Sequence, residues 1–216
     1  MSRSVFYWEC LGQSYPFDPS KTYLIYFKGC YCPPTRGHFD TVKRFIDLGP
    51  NIHVMIHQIG SSRRHGVPYH LNREIWETYI DELLPPDRVH LIRYNSNEDI
   101  LDMDIINSID TVIYLRGNED YDIHHTEKSN RERFRSIIRR LNRRGVKMDF
   151  YYVQRPDVRQ LSATKFTRTL IRTKKRCRRK GCSCKYKKLK FFMPTDLPEE
   201  TTMRLVRKMQ SYHLTV

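Results

Sequence analysis

The chain has 216 residues and a formal net charge of +15 at pH 7, with 39% hydrophobic residues against a usual ~45–50%. Its length suits one core with appendages, and its low hydrophobic content predicts an unusually polar segment or surface. No apolar run approaches membrane-spanning length and no signal segment stands near the start, so we expect a cytoplasmic protein with reduced thiols rather than a membrane protein or a secreted disulfide scaffold.

Five short segments rich in β-branched and aromatic residues are predicted strands. They are Tyr23 to Phe27, His53 to Ile59, Val89 to Tyr94, Thr111 to Leu115 and Met148 to Val153. Helical patterns fill the intervals between them, and the clearest is the apolar stripe within Glu127 to Arg144. This alternation predicts a Rossmann-like α/β fold, a five-stranded parallel sheet with helices on both faces.

Four segments are predicted along the chain. They are an N-terminal arm at residues 1–20, the α/β domain at 21–172, a basic cysteine-containing segment at 173–194 and a C-terminal helix within 195–216. Pro198, followed by two glutamates, marks the start of that last helix, which is expected to run through Met209.

Residues 27–39 connect the first predicted strand to the first predicted helix. Gly29 and Gly37 allow tight turns and a close approach to a ligand, while two prolines stiffen the loop between them. The first N–H groups of a helix lack intrahelical partners and carry roughly half a positive charge, so phosphate is a natural ligand for them. Thr35 and His38 are expected to project into the same small space.

This loop resembles the Gly-x-Phe-x-Pro-x-Thr-x-Gly-His signature of the nucleotidyltransferase superfamily, the cytidylyltransferase-like enzymes. The matching residues are Gly29, Pro33, Thr35, Gly37 and His38, with Tyr31 in place of Phe. Far downstream, Leu161 to Lys165 resembles the Ile-Ser-Ser-Thr-Lys segment with which these enzymes open a late helix over the triphosphate. The resemblance implies a Rossmann-like fold of the HUP type.

Two further strand ends resemble particular members of the superfamily. Arg116-Gly117 is similar to the Arg-Gly that follows the fourth strand of phosphopantetheine adenylyltransferases. Ile59-Gly60-Ser61-Ser62 is similar to the Ile-Gly-Ser of adenylyltransferases that act on nicotinamide mononucleotide. The carboxyl ends of parallel strands meet at one edge of a sheet, so these segments are expected to converge with Gly29 on one ligand site.

The resemblance implies transfer of a nucleoside monophosphate, first of all from ATP, to a small phosphate-bearing acceptor with release of pyrophosphate. His38 would donate to the α-phosphate oxygens, Thr35 would orient the acceptor phosphate, and Lys165 would hold the departing phosphates. The residues expected to bind the nucleotide are Gly29, Tyr31, Gly37, Gly60, Ser61, Arg116, Gly117, Ser162, Thr164 and Arg168. Mg²⁺ is expected to be held mainly by the triphosphate, because no carboxylate cluster indicates a metal site in the protein.

The late motif departs from the family pattern at one position. The family usually has Lys or Arg three residues after the threonine, but here position 167 is Thr and the cation is Arg168. One residue on a helix corresponds to about 100° of rotation. Either Lys165 takes over the missing charge, or the grip on the triphosphate is weaker.

Charge is concentrated in one part of the chain. Fourteen lysines and arginines lie between Arg159 and Lys190 without a single Asp or Glu, so the rest of the chain is nearly neutral. Residues 172–190 would bind nucleic acid in a salt-sensitive way, or would form a solvated insertion. An anionic membrane surface is a third alternative, although no apolar face accompanies these charges.

Three cysteines fall in the same basic stretch. A zinc site made by Cys177, Cys182 and Cys184 lacks a fourth ligand, for which Cys10, His213 or a partner chain would be needed. Three reduced surface thiols are the alternative. Cys30 and Cys32 lie in the phosphate loop and are expected to serve as small side chains beneath it, without a catalytic role.

Three functions therefore compete. An adenylyltransferase-like enzyme comes first, and its acceptor and base remain open. A protein that keeps the fold without catalysis, and binds nucleic acid as a packaging or virion component, comes second. A fragment similar to the core of a class I aminoacyl-tRNA synthetase comes third, and 216 residues are short for it.

Overall fold

The fold follows from a computed structural model that describes residues 16–59, 67–117, 129–153, 163–177 and 188–212. Its strands are β1 (Tyr23–Gly29), β2 (Ile52–Gln58), β3 (Val89–Arg93), β4 (Thr111–Gly117) and β5 (Lys147–Val153). They form one sheet in the order β3-β2-β1-β4-β5, and every neighbouring pair is parallel. The predicted five-stranded parallel sheet is confirmed, with strand ends that differ by at most two residues from the predicted ones.

Helices occupy the intervals between the strands and the C-terminal part of the chain. They are α1 (Arg36–Ile46), α2 (Tyr69–Leu83), α3 (Arg135–Arg143), α4 (Ala163–Cys177) and α5 (Glu199–Tyr212), with 3₁₀ turns at Asn97–Asp102 and Asp104–Ser108. The helix predicted over Glu127 to Arg144 is interrupted, because Phe134 has φ −97° and ψ 8° at the junction before α3. None of the described helices has both the length and the apolar character needed to cross a bilayer.

The sheet separates two hydrophobic clusters, which places helices on both of its faces. Alternate residues of β1 point to opposite sides: Ile25 and Phe27 join one cluster, and Leu24 and Tyr26 join the other. The first cluster, which we call the α1 face, contains side chains of α1, α2, α4 and α5. The second, the α3 face, contains those of α3 and the 3₁₀ turns. Burial on both sides explains why β1 reads as an almost continuous apolar run.

The described C-terminal residues pack on the α1 face rather than apart from the sheet. Phe192 stacks on Phe166 of α4 with ring centroids 4.9 Å apart, and Leu205 and Met209 of α5 are fully buried in the same cluster. Residues 188–212, which the sequence assigns to two separate segments, thus share their core with the α/β domain. This packing also brings Phe192 to the beginning of α1.

Candidate active site

The candidate site lies at the carboxyl edge of the sheet, around the end of β1. In the strand order, β2 and β3 lie on one side of β1, and β4 and β5 lie on the other. In open parallel sheets such a change of direction creates a crevice between the loops that follow the central strands, and ligands bind there. The loop from Gly29 to Thr35 leads out of β1 at this point and starts α1.

Tyr31 is the packing centre of that loop. Its backbone has φ 43°, in the left-handed region that few residues other than glycine adopt. Its ring is 5% exposed and lies 4.8 Å from the ring of Phe27, 5.6 Å from that of Trp76 and 5.1 Å from that of His38. A Cβ atom at Gly29 would stand 2.8 Å from Cε1 of Tyr31, so only glycine fits beneath this ring. Tyr31 therefore supports the His38 ring, and its contact with nucleotide stays a prediction.

His38 is held at the start of α1 by the residue that precedes the helix. The backbone N–H of Thr35 donates to Nδ1 of His38 at 3.1 Å, and Oγ1 of Thr35 lies 3.2 Å from the same nitrogen. Because Nδ1 accepts a hydrogen bond, it carries no proton, and the neutral ring has its proton on Nε2. Nε2 of the half-buried imidazole is thus a hydrogen-bond donor. The expectation that Thr35 and His38 share one space is met by this geometry.

Two of the N–H groups at the start of α1 already have partners. The N–H of Arg36 donates to the carbonyl of Phe192 at 2.6 Å, and the N–H of His38 donates to the carbonyl of Thr35 at 2.9 Å. Fewer N–H groups at the start of α1 are therefore available to a phosphate than the sequence predicts. Gly37 lies between Arg36 and His38, and its contact with nucleotide stays a prediction.

On helix α4, Lys165 and Arg168 face outward and Thr167 faces inward. Lys165 and Arg168 are exposed, as is Thr164, whereas Thr167 is 7% exposed beside the buried Phe166. The Oγ1 of Thr167 has no hydrogen-bond partner among the described residues. Arg168 thus lies on a different face of the helix from the position where the family carries its cation, as the rotation of about 100° per residue requires.

Several predicted site residues fall at the ends of strands or outside the described chain. Arg116 and Gly117 are the last two residues of β4, which pairs with β1. Gly60, Ser61 and Ser162 lie outside the described residues, as do residues 178–187 of the basic segment. Four of the residues considered for zinc also lie outside them: Cys10, Cys182, Cys184 and His213. Within the described ranges, no group of three or more His, Cys, Asp or Glu side chains could hold a metal ion.

Three polar side chains on the α3 face form a line of hydrogen bonds that none of the sequence motifs predicts. Tyr26 bonds Nδ1 of His57 at 2.7 Å, and Nε2 of His57 bonds a carboxylate oxygen of Asp99 at 2.9 Å. Burial lowers the pKa of His57 and raises that of Tyr26, so both are neutral at pH 7. Burial alone would raise the pKa of Asp99, but bonds from the N–H groups of Asn95 and Ser96 and from His57 hold it below its ordinary value. Tyr26 therefore donates to His57, and His57 donates to the Asp99 carboxylate.

Lys28 lies next to this chain at the end of β1. Its Nζ donates to the side-chain carbonyl of Asn97 and stands 3.9 Å from the centroid of the Tyr94 ring. Burial, with a smaller contribution from Arg133, lowers the pKa of Lys28 to about 8. The sequence motifs do not indicate this lysine, because its environment comes from residues more than sixty positions away.

The lowered pKa of Lys28 predicts a pH dependence of stability. Above pH 8 the folded protein releases a proton that the unfolded chain keeps until its ordinary pKa of 10.5, so the free energy of unfolding rises with pH in this window. Urea unfolding of the wild type and of Lys28→Met at pH 7.5 and 9.5 measures the effect. The wild type is expected to gain stability relative to the variant between these pH values. Parallel pH profiles of the two proteins would contradict this assignment.

Comparison with known proteins adds evidence on the fold. No protein-family model matches the sequence, and no characterised protein matches it in a search by sequence. Among solved structures, the chain is similar to Plasmodium falciparum nicotinic acid mononucleotide adenylyltransferase complexed with NaAD, with 11% identity, a TM-score of 0.49, and coverage of 89% of this chain and 98% of that one.

A second similar structure is Thermotoga maritima TmcAL bound with alpha-thio ATP. The TM-score is 0.51 and the identity 13%, and the likeness covers 88% of this chain and 57% of that chain. The present chain thus spans just over half the length of TmcAL. At such identities the likeness concerns the fold alone. The Rossmann-like fold implied by the motif resemblance is confirmed.

Proposed function

We propose that this chain, which has a nucleotidyltransferase-like fold, transfers a nucleoside monophosphate from ATP or another nucleoside triphosphate to a small phosphate-bearing acceptor. The single observation that carries the proposal is the geometry of His38. Thr35 holds its ring by Nδ1, so that Nε2 is a donor at the carboxyl edge of the sheet, beside the central strand β1. A hydrogen-bond donor that is already held in position can stabilise the negative charge that develops on a phosphoryl group during the reaction.

The proposed reaction is an in-line displacement at the α-phosphorus. An oxygen of the acceptor phosphate forms the new P–O bond, and the bond from the α-phosphorus to the bridging oxygen breaks. Pyrophosphate leaves with that electron pair. The attacking oxygen is already anionic, so neither a general base nor a covalent intermediate is required. Positioning and charge stabilisation account for the catalysis.

The proposal gives each side chain a separate part in this reaction. His38 donates from Nε2 to a non-bridging oxygen of the α-phosphate, and Thr35 keeps the ring in the required tautomer and helps to orient the acceptor phosphate. Lys165, exposed on α4, attracts the β- and γ-phosphates in place of the cation missing at Thr167. Mg²⁺ enters with the triphosphate as part of the substrate, since phosphate oxygens and water suit this ion.

Pyrophosphate release tests the proposal. The purified protein is incubated with each nucleoside triphosphate, Mg²⁺ and one acceptor at a time: nicotinamide mononucleotide, nicotinic acid mononucleotide, phosphopantetheine, phosphocholine or glycerol 3-phosphate. We expect release that requires both one triphosphate and one acceptor. Release without any acceptor would indicate hydrolysis, and the absence of release with every pair would contradict the proposal.

A second candidate is a nucleic-acid-binding protein that lacks catalysis. The observation that favours it is the exposed surface of α4, where Arg168 and Arg172 point outward, together with exposed Lys188 and Phe191, the latter 46% exposed. Exposed cations suit a nucleic-acid backbone, and an exposed aromatic ring suits its bases. A protein that binds RNA or DNA but releases no pyrophosphate with any acceptor would favour this candidate over the enzyme.

A further inference from the structure

Gln58 is a buried polar side chain without a partner at the edge of the candidate site. It is the last residue of β2 and pairs in register with Gly29 of β1. The residue is 0% exposed, yet neither its amide nitrogen nor its amide oxygen has a hydrogen-bond partner among the described residues. Buried amides in folded proteins almost always have partners, so an amide left without any needs a reason.

The direction of the Gln58 side chain follows from the alternation along β2. Ile52, Val54 and Ile56 belong to the cluster on the α1 face, and Met55 belongs to the α3 face. Gln58 lies two residues after Ile56, and alternate residues of a strand point to the same side, so its side chain points to the α1 face. Tyr31 and the start of α1 lie on that same face, and Gly29 is its neighbour across the strand pair.

The position of Gln58 along the sheet distinguishes two halves of the crevice. The predicted nucleotide contacts Arg116 and Gly117 end β4, and Lys165 belongs to the helix that follows β5. Arg116 and Gly117 come from the side of β1 occupied by β4 and β5, whereas Gln58 ends β2 on the other side. With the nucleotide on the β4 side, the acceptor occupies the β2 side, because the α-phosphorus has to lie between the two substrates. In this division Gly60 and Ser61, which follow Gln58 in the sequence, are no longer nucleotide contacts.

We propose that Gln58 selects an acceptor that carries a neutral amide group. This inference rests on the proposed nucleotidyltransferase function and names the substrate class of the same site. A primary amide offers one acceptor oxygen and a donor NH₂, which pair with the NH and C=O of another amide. A carboxylate has only acceptor oxygens, so one of them would face the oxygen of Gln58 in a site from which water is excluded.

The test compares matched acceptors that differ in this group. Nicotinamide mononucleotide and nicotinic acid mononucleotide form one pair, which differs only in this group. The other pair is 4′-phosphopantetheine and 4′-phosphopantothenate, which share one amide and differ at the end of the chain, where a second amide with a mercaptoethyl group replaces a carboxylate. For one of the pairs, the wild type is expected to favour the amide at least tenfold in kcat/KM for the acceptor. In Gln58→Met, which has a similar volume and no polar atoms, we expect this preference to be lost while KM for ATP stays unchanged.

A second readout does not depend on turnover. Since Gln58→Met removes two buried polar groups without partners, its Tm in the absence of ligand is expected to be at least that of the wild type. The rise in Tm caused by the amide acceptor is expected in the wild type and not in the variant. Thr202→Val is the matched control, because Thr202 is also 0% exposed with a hydroxyl that has no described partner, but it lies on α5. This control should keep the amide preference.

The outcomes separate the inference from the function on which it rests. Turnover with glycerol 3-phosphate or phosphocholine alone, or equal turnover of amide and acid, would overturn the role of Gln58 and leave the nucleotidyltransferase intact. A lower Tm of Gln58→Met with an unchanged preference would also overturn it, since Gln58 would then be a structural residue. An amide-dependent rise in Tm without any pyrophosphate release would support the site and reject the reaction.

Discussion

The variant His38→Ala is expected to lower the rate of acceptor-dependent pyrophosphate release by about a hundredfold or more. The imidazole is the donor that stabilises charge on the α-phosphate in the proposed reaction, and removal of one such donor usually has an effect of this size. The expected loss is in kcat, because the interaction strengthens as the transition state forms. Steady-state rates of both proteins with the preferred nucleotide and acceptor measure it.

His70→Ala is the matched control for this experiment. His70 is exposed on α2 and bonds the Tyr212 hydroxyl at 2.9 Å, and it is not part of the motif from Gly29 to His38. It should leave kcat unchanged. His38→Ala itself loses the bond from the Thr35 N–H, which is expected to lower the free energy of unfolding by about 1 kcal/mol. An unchanged kcat in His38→Ala would remove this residue from the mechanism.

Gly29→Ala is expected to reduce both stability and activity. The added Cβ would stand 2.8 Å from the Tyr31 ring, which cannot move away freely because Phe27 and Trp76 pack against it. Overpacking of this kind costs about 1–3 kcal/mol. A shift of Tyr31 also removes the support of the His38 ring, whose centroid is 5.1 Å away. Urea unfolding and the pyrophosphate assay, on the same preparation, measure the two effects.

Gly145→Ala separates the loss of activity from a general loss of stability. Gly145 follows α3 with φ 77°, and a Cβ there would meet no atom within 4 Å. The variant is expected to lose about 1–2 kcal/mol through backbone strain alone, without a change in kcat. If Gly29→Ala were as active as Gly145→Ala at equal stability, the packing of Tyr31 would have no part in positioning His38.

The fold could be predicted from the sequence because its signals are local. Five short runs of branched and aromatic residues alternate with helical periodicity, and the parallel sheet in the order β3-β2-β1-β4-β5 follows that alternation. The loop around His38 could also be predicted, since its glycines, threonine and histidine lie within ten consecutive residues. Thr35 and His38 meet because they are three positions apart at the start of a helix.

The tertiary structure alone decided the surroundings of that loop. The carbonyl of Phe192 takes the N–H of Arg36, although 155 residues lie between them in the sequence. Asp99 reaches His57 across 42 positions, and Gln58 becomes a buried amide without a described partner only because β2 pairs with β1. On α4, the sequence determined that Thr167 stands where the family has a cation and that Arg168 follows it. The packing of the buried Phe166 decided that Thr167, and not Arg168, faces inward. Periodicity and motifs report interactions between near neighbours, whereas these contacts depend on how distant elements pack around one sheet.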